Sequence, residues 1–153
     1  MTLYNELTIN RLDLEQFQQF GLKIGKKLKG GEVIELSSDL GGGKTTLAKT
    51  IVKGAGSNDN VTSPSFTIAN LYQAINFNIQ HFDFYRLTEP GIIKLQIEES
   101  INSKRDVIIV EWGQSVAQVL PPQRLIIKIN FEDFDTRSLS IRFPKSYDYL
   151  LKE

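Results

Sequence analysis

Three consecutive glycines followed by a lysine and two threonines constrain this chain more than any other segment. The run reads GGGKTT from Gly41 to Thr46 and follows a short apolar stretch, residues 33–36. It matches the G-x-x-x-x-G-K-[ST] pattern of phosphate-binding loops, except that Ser38 replaces the leading glycine. Residues 33–36 read as a buried strand and residues 46–53 as a helix, which is the setting that the pattern requires. The sequence therefore predicts a phosphate-binding loop.

The chemistry expected of this loop follows from its backbone. Successive main-chain N–H groups form a nest for an anion, and the helix that follows adds its positive N-terminal end. Lys44 would place a charge on the β- and γ-phosphates, the Thr45 hydroxyl would hold Mg²⁺, and Thr46 would contact the outer phosphates. The predicted nucleotide-binding residues of the loop are Leu40, Gly41, Gly42, Gly43, Lys44, Thr45 and Thr46.

Ser38 leaves two alternatives open. With a positive φ, a serine there costs on the order of 1–2 kcal/mol, whereas with a negative φ the cost is small. In both cases the amides that grip phosphate lie further along the chain. We therefore expect weaker nucleotide binding at worst, and not its loss.

Two carboxylates are candidate partners for a metal ion. Asp83 ends a predicted strand in NIQHFDFYRL, and Glu111 ends another in DVIIVEWG. Ligands gather at the carboxyl ends of strands in open α/β sheets, so both side chains are expected on the same edge as the loop. Mg²⁺ keeps several waters, so either carboxylate can bind it directly or through water.

Three other features near these carboxylates permit a functional and a structural interpretation. Residues 61–68, VTSPSFTI, suit either a γ-phosphate sensor or a plain loop that leads into a strand. The only histidine, His81, is expected to be a packed and hydrogen-bonded core residue. The only tryptophan, Trp112, is expected in the core or on a partner surface.

The order of elements predicts an α/β fold: a P-loop NTPase-like mixed β-sheet flanked by helices, with residues 1–153 as one domain. Asp13 is a candidate cap for a helix whose apolar positions, from Leu14 to Leu28, recur at helical spacing, and Gly30 and Gly31 end it. Thr88-Glu89-Pro90 indicates another helix start, and Pro121-Pro122 closes a short helix. Extended segments are predicted at 65–72, 77–84, 107–110, 124–130 and 137–143. Residues 144–153 form either a docked helix or a frayed tail.

Composition excludes several classes of function. Eighteen basic residues balance eighteen acidic ones, so the chain has no general field that would attract nucleic acid. There is no cysteine, which excludes disulfides and thiolate metal sites. No apolar run approaches the roughly 20 residues of a membrane span, and the N-terminus lacks a secretion signal. We expect a cytoplasmic protein.

Several motifs together resemble one family, the TsaE (formerly YjeE) ATPases of bacterial tRNA threonylcarbamoyladenosine (t6A) biosynthesis. The family's G-D-L-G-A-G-K-T-T corresponds to residues 38–46, and its S-P-T-[FY]-T to residues 63–67. Its H-x-D-x-Y-R-L is complete at residues 81–87, and its E-W pair is Glu111-Trp112. The likeness extends from about Asp13 to Phe143.

The resemblance implies ATP binding by the loop, with Mg²⁺ at Thr45 and Glu111 and with Asp83 as second carboxylate. Ser65 and Trp112 would lie at the nucleotide site, and Arg137 would contact the nucleotide. Lys44, Asp83 and Glu111 would then be the catalytic residues. The implied partners are a threonylcarbamoyltransferase subunit and its inactive paralogue, which are TsaD-like and TsaB-like, so that tRNA is met only through the complex.

The chain departs from the family pattern at three positions. Ser38 replaces glycine, and Ser65 replaces threonine but keeps the hydroxyl. Gln96 stands where the family has a glycine, which raises the expectation of an altered local turn.

Other functions of a phosphate loop are less well supported by the sequence. A small nucleoside or nucleotide kinase would need an arginine-rich lid, which is not evident. A GTPase would need N-K-x-D and D-x-x-G motifs, which are missing. A non-hydrolysing adaptor is supported only by Ser38.

Overall fold

The computed structural model describes residues 4–38, 43–61, 69–85 and 91–152, with Ile92 and Ser115 described by their backbone alone. Predictions that concern Leu40, Gly41, Gly42 and Ser65 lie outside the described residues. The same holds for the sensor loop beyond Val61 and for the helix-start signal at 88–90.

The described chain alternates strands and helices, as expected for the α/β class. The strands are β1 (Tyr4–Leu12), β2 (Val33–Ser37), β3 (Ala69–Gln73), β4 (Asn78–Asp83), β5 (Val107–Glu111), β6 (Leu125–Phe131) and β7 (Arg137–Pro144). The helices are α1 (Leu14–Lys27), α2 (Lys44–Gly54), α3 (Gly91–Ser103) and α4 (Asp148–Leu151), with 3₁₀ turns at Gly113–Val116 and Lys145–Tyr147.

The sheet has the order β1-β7-β6-β2-β5-β4-β3. Strands β6, β2, β5 and β4 run parallel, while β3, β7 and β1 are antiparallel to their neighbours. The predicted mixed sheet is therefore confirmed. So is the β3–β4 hairpin, although its residues 65–68 lie outside the described part of the chain.

One strand was not predicted. Strand β1 pairs with β7 through main-chain hydrogen bonds, and six of its nine residues are exposed, while Tyr4, Ile9 and Leu12 are partly covered. Because an edge strand buries little on either face, its sequence shows no clear alternation of apolar and polar residues.

Each face of the sheet has its own apolar cluster, because successive residues of a strand point to opposite sides. Ile34, Leu36 and Ile109 face helices α1 and α2, whose Leu47 and Ile51 join the same cluster. Val33, Phe82, Ile108 and Val110 face the other side, where they contact Ile97 of α3 and Leu120. The buried strands thus hold the ends of β2, β4 and β5 in fixed positions.

The predicted helix boundaries are confirmed with small differences. Asp13 caps α1 in a capping box with Gln16, and Phe17, Gly21 and Ile24 are buried as expected, whereas Leu14 is exposed. The helix before Pro121-Pro122 is a 3₁₀ turn that ends earlier, at Val116. Helix α3 runs unbroken through Gln96, which is exposed, so the expected disturbance of the local turn is wrong.

The C-terminal segment is a docked helix and not a frayed tail. Leu150 is buried against α1, and Tyr147 accepts a hydrogen bond from the main-chain N–H of Val33. Tyr149 donates to the buried carboxylate of Glu32. None of the helices in the described ranges is long and apolar enough to cross a lipid bilayer.

Candidate nucleotide-binding site

The carboxyl ends of three parallel strands meet at one edge of the sheet. Glu111 at the end of β5 pairs in register with Asp83 of β4 on one side and with Leu36 of β2 on the other. Register partners share a face, so both carboxylates lie on the side that α1 and α2 cover. The predicted convergence of Asp83 and Glu111 on the side of the sheet where β2 ends is confirmed.

Lys44 is the first residue of α2, and only 6% of it is exposed. Its Nζ donates to the Ser38 hydroxyl at 2.9 Å and lies 4.3 Å from the centroid of the Trp112 ring. A buried ammonium at the N-terminus of an eleven-residue helix creates a strongly positive corner. Such a corner favours a multiply charged anion such as a polyphosphate.

The residue before Lys44 has a backbone that favours glycine. Gly43, the first described residue after residue 38, is the N-cap of α2 and has φ 106°, and no described side chain caps the helix there. A Cβ there would lie 3.3 Å from the Phe17 ring. Within the described part of the chain, the main-chain N–H groups at the start of α2 receive no side-chain cap, which agrees with the phosphate-loop interpretation.

Ser38 is not among the described non-glycine residues with positive φ, which are Arg11, Lys104 and Trp112. Of the two alternatives for this position, the one with little backbone cost is therefore the one found. What distinguishes this serine is its hydroxyl, which accepts a hydrogen bond from the Lys44 ammonium.

Trp112 has an unfavourable backbone at the same edge of the sheet. Its φ of 57° and ψ of 52° are left-handed, a conformation that costs a bulky L-residue on the order of 1–2 kcal/mol. The strained turn directs the indole toward Lys44, and Tyr85 packs on it with a ring centroid distance of 4.9 Å. Strain of this kind at a cleft is typical of functional sites.

The two carboxylates have different surroundings. Glu111 is almost completely buried, and its Oε2 lies 2.5 Å from Nε2 of His81. Asp83 is half-buried and accepts the main-chain N–H of Tyr85. Burial raises the pKa of Asp83 above its usual value, and the nearby charge of Glu111 raises it further, while Tyr85, His81 and Lys44 oppose the shift. A cation bound here would offset the repulsion between the two carboxylates.

The donor set fits Mg²⁺ without forming a protein cage. In the described ranges, no three histidine, cysteine, aspartate or glutamate side chains are grouped so as to hold a metal ion. Mg²⁺ is commonly held by one or two carboxylates, substrate phosphates and waters, and a hydroxyl such as that of Thr45 suits it equally. Asp83, Glu111 and the first turn of α2 supply these groups.

Arg137 lies at a pocket of about 210 Å³ on the other side of Gly43. Its guanidinium donates to the carbonyls of Asp133 and Thr136 and lies 4.8 Å from the Phe131 ring centroid. The pocket also contains Thr46, Phe17 and the 93% exposed Phe134. Arg137 therefore borders the same cavity as Gly43 and Thr46, as the prediction of a nucleotide contact requires.

Sequence reasoning missed three contacts of this site. These are the pairing of Ser38 with Lys44, the packing of Tyr85 on Trp112, and the contact between His81 and Glu111. The expectation that His81 is a packed and hydrogen-bonded residue is confirmed. The sequence carried one signal for these contacts. His81, Asp83 and Tyr85 are spaced two residues apart, and alternate residues of an extended chain point to the same side.

The sheet has parallel strands at its centre, a buried lysine begins the helix that follows β2, and two carboxylates lie on adjacent strand ends. Together with the glycine-rich sequence between β2 and α2, these features define an α/β protein of the P-loop type. The family model described as "Threonylcarbamoyl adenosine biosynthesis protein TsaE" matches residues 12–139. The chain belongs to this TsaE family.

Individual relatives agree with this assignment. A tRNA threonylcarbamoyladenosine biosynthesis protein TsaE from Rickettsia typhi is 32% identical over 130 residues, covering 84% of this chain and 89% of the relative. The protein of the same name from Streptomyces coelicolor is 33% identical over 122 residues, covering 78% and 82%. The crystal structure of Bacillus subtilis YdiB superposes with a TM-score of 0.78 at 27% identity, over 99% of this chain and 95% of that one.

Proposed function

We propose that this chain is a Mg²⁺-dependent ATPase that serves tRNA N6-threonylcarbamoyladenosine biosynthesis. Membership of the TsaE family supports the pathway. The observation that supports the chemistry is the position of the buried Lys44, at the start of α2 and on the sheet edge where Asp83 and Glu111 are register partners. An ammonium near two carboxylates suits a metal-bound polyphosphate better than a neutral ligand.

The proposed roles follow from the placement of the side chains. The amides of residues 40–46 and the Lys44 ammonium bind the β- and γ-phosphates. The Thr45 hydroxyl, Glu111 and Asp83 hold Mg²⁺ directly or through water, and the bound ion neutralises charge on the phosphoryl oxygens. The carboxylate that does not touch the metal is suited to orient the attacking water. Ser65, by its position in the family motif, is proposed to lie at the same phosphates.

The nucleoside is proposed to lie in the pocket between Thr46 and Arg137. Aromatic side chains at its wall, Phe17 and Phe134, offer faces on which a base can pack. Arg137 offers a guanidinium, held in place by two carbonyls, for the ribose or the base. Trp112 is not among the residues that line this pocket, but its ring contacts the Lys44 ammonium. We propose that its surroundings change when the phosphates bind.

The partners proposed are a TsaD-like threonylcarbamoyltransferase subunit and its inactive TsaB-like paralogue. A chain with no net charge lacks the basic field that direct tRNA binding needs, so the tRNA would be held by the partners. The protein would act in the cytoplasm, where bacterial tRNA is modified.

The deciding experiment compares Lys44→Ala with Lys49→Ala, an exposed lysine of the same helix. Affinity for Mg·ATP is measured by calorimetry, and hydrolysis is measured with and without the transferase pair. We expect Lys44→Ala to weaken binding at least tenfold and to abolish the hydrolysis that the pair stimulates, while Lys49→Ala matches the wild type. Unchanged affinity and pathway function in Lys44→Ala would establish a non-hydrolysing adaptor, and phosphate transfer to a nucleoside would establish a kinase.

A further inference from the structure

A buried histidine touches one of the carboxylates of the site. His81 is fully buried, and its Nε2 lies 2.5 Å from Oε2 of Glu111, which is itself 2% exposed. The other ring nitrogen, Nδ1, lies 3.4 Å from the Tyr72 hydroxyl. Nothing in the proposed reaction uses this imidazole, although it is the closest described polar neighbour of a proposed metal ligand.

The arrangement depends on the register of three adjacent strands. Asn70 of β3 pairs with His81 of β4, and Ile109 of β5 lies opposite His81, two residues before Glu111. Asn70, Tyr72, His81 and Glu111 consequently share the face that α2 covers. The Asn70 amide donates to the Tyr72 hydroxyl at 3.3 Å, so that polar groups continue from β3 to the carboxylate of β5.

The contact restrains Glu111 in a way that few residues could. An ionised carboxylate only accepts, so the imidazole tautomer with its proton on Nε2 makes this hydrogen bond to Oε2. A short hydrogen bond to an ionised acceptor is stronger than a neutral one and fixes both partners in one geometry. The ring cannot turn away, since it is enclosed between Tyr72, whose ring centroid is 6.1 Å distant, and the carboxylate.

We infer that His81 is a positioning residue that holds Glu111 in the orientation required to bind Mg²⁺, an inference that rests on the function proposed above. Ligands of metal ions are commonly oriented by a hydrogen-bonded partner behind them, and loss of that partner typically weakens metal binding about 10–100-fold. One oxygen of Glu111 is engaged by His81, and the carboxylate plane is thereby set for the metal side. The motif residue His81 acts through Glu111 and does not touch the nucleotide.

The test exploits the two nitrogens of the ring. Glutamine places its amide nitrogen near the position of Nε2, whereas asparagine is too short to reach Glu111. The variants are therefore His81→Gln, which keeps the donor, and His81→Asn and His81→Leu, which lose it. Phe82→Leu is the control for damage to β4, because Phe82 is fully buried on the opposite face of the same strand.

The measurement is Mn²⁺ binding, followed by electron paramagnetic resonance, in the presence of a non-hydrolysable ATP analogue. Affinity for the analogue without metal and the thermal midpoint are recorded for each variant. We expect the Mn²⁺ dissociation constant to rise at least tenfold in His81→Asn and His81→Leu, and less than threefold in His81→Gln and Phe82→Leu. Metal-free affinity for the analogue should change less than twofold in every variant.

Two results would overturn the inference. One is a Mn²⁺ affinity in His81→Asn equal to that in His81→Gln, a comparison that stays decisive even if His81→Leu does not fold. The other is a loss in Phe82→Leu as large as that in His81→Asn, which would show that only strand stability matters. If the wild type itself bound no Mn²⁺ with the analogue, the proposed function would fail instead, so the two failures are distinguishable.

Discussion

At the scale of single residues, Ser38 and Lys44 are in direct contact at the candidate site. The Lys44 ammonium is shared between the Ser38 hydroxyl and the Trp112 ring. If Lys44 binds phosphate as proposed, both contacts compete with it for the same ammonium. The serine therefore influences the site through its hydroxyl more than through its backbone, whose φ is not positive.

We predict that Ser38→Gly binds Mg·ATP as well as the wild type or better. The variant removes the hydroxyl that accepts a hydrogen bond from Lys44, and with it one competitor of the phosphates for this ammonium. It should also lower the free energy of unfolding by roughly 0.5–1 kcal/mol, since glycine loses more backbone entropy on folding. Titration followed by Trp112 emission gives the affinity, and urea unfolding gives the stability. A clearly weaker affinity would mean that the hydroxyl itself contacts the nucleotide.

A second prediction concerns Asp83 and the pH dependence of the free energy of unfolding. Burial raises its pKa, so the folded state binds the proton more tightly than the unfolded state, whose pKa stays near 3.8. Stability from this group is therefore present below the unfolded value and is lost as pH rises through the folded pKa. Asp83→Asn, which keeps the acceptor for Tyr85, should be more stable than the wild type at pH 7, and the gain should shrink as pH falls toward 4.

The check is urea unfolding at several pH values without nucleotide. Asp59→Asn is the matched control, because Asp59 also accepts a main-chain N–H, that of Gln73, but is exposed. It should show no comparable gain. A destabilised Asp83→Asn at pH 7 would contradict the assignment of burial as the main cause.

At the scale of elements, glycines let helices α1 and α2 approach closely. A Cβ at Gly25 would lie 2.1 Å from the carbonyl oxygen of Ile51, and one at Gly54 would lie 2.3 Å from that of Leu22. Backbone atoms cannot move aside as a side chain can. The contact fixes α2, and with it Lys44, over the sheet.

Gly25→Ala is accordingly expected to destabilise the protein. Alanine is the better helix former by about 1 kcal/mol, yet the clash with the backbone of α2 should outweigh this gain and leave a net loss of about 1–3 kcal/mol. Gln18→Ala, at an exposed position of the same helix, should stay within roughly 0.5 kcal/mol of the wild type. Equal stability of the two variants in urea unfolding would show that the helices separate without cost.

The elements also show which parts of the fold can be predicted from the sequence. The local sequence is enough to recognise a buried strand such as β5, with its four consecutive β-branched residues, and a capped helix such as α1. Strand β1 does not, because it is held by pairing with β7, which lies more than a hundred residues away in the chain. Its stability comes from that long-range pairing and not from its own periodicity.

The same distinction applies to the site. That Asp83 and Glu111 meet at one edge follows from strand direction alone, which is why their convergence was predictable. The contact of His81 with Glu111 requires the exact register of β4 and β5. The packing of Trp112 on Lys44 requires a left-handed backbone that no local pattern indicates for tryptophan.

At the scale of the whole molecule, the first strand and the last helix are in contact beside α1. Strand β1 lies along β7, and Asn5 donates to Asp148 at 3.0 Å. Just before β2, the buried Glu32 accepts hydrogen bonds from the main-chain N–H groups of Lys29 and Gly30 and from the Tyr149 hydroxyl at 2.5 Å. The last helix thus closes the end of the sheet opposite to the nucleotide site.

Because the last helix lies far from the candidate site, we predict that a substitution in it lowers the free energy of unfolding without altering the affinity for ligand. Burial, aided by the hydrogen bond to Glu32, raises the pKa of Tyr149 well above its usual range, so its hydroxyl stays protonated and keeps donating. Tyr149→Phe leaves the buried Glu32 carboxylate short of one donor and should lower the free energy of unfolding by about 1–3 kcal/mol.

The control is Tyr4→Phe, which loses only a surface contact to the carbonyl of Pro122 and should lower the free energy of unfolding by less than about 0.5 kcal/mol. Urea unfolding measures the difference, and an unchanged affinity for Mg·ATP in both variants would show that the closure supports the fold while the opposite edge binds the nucleotide.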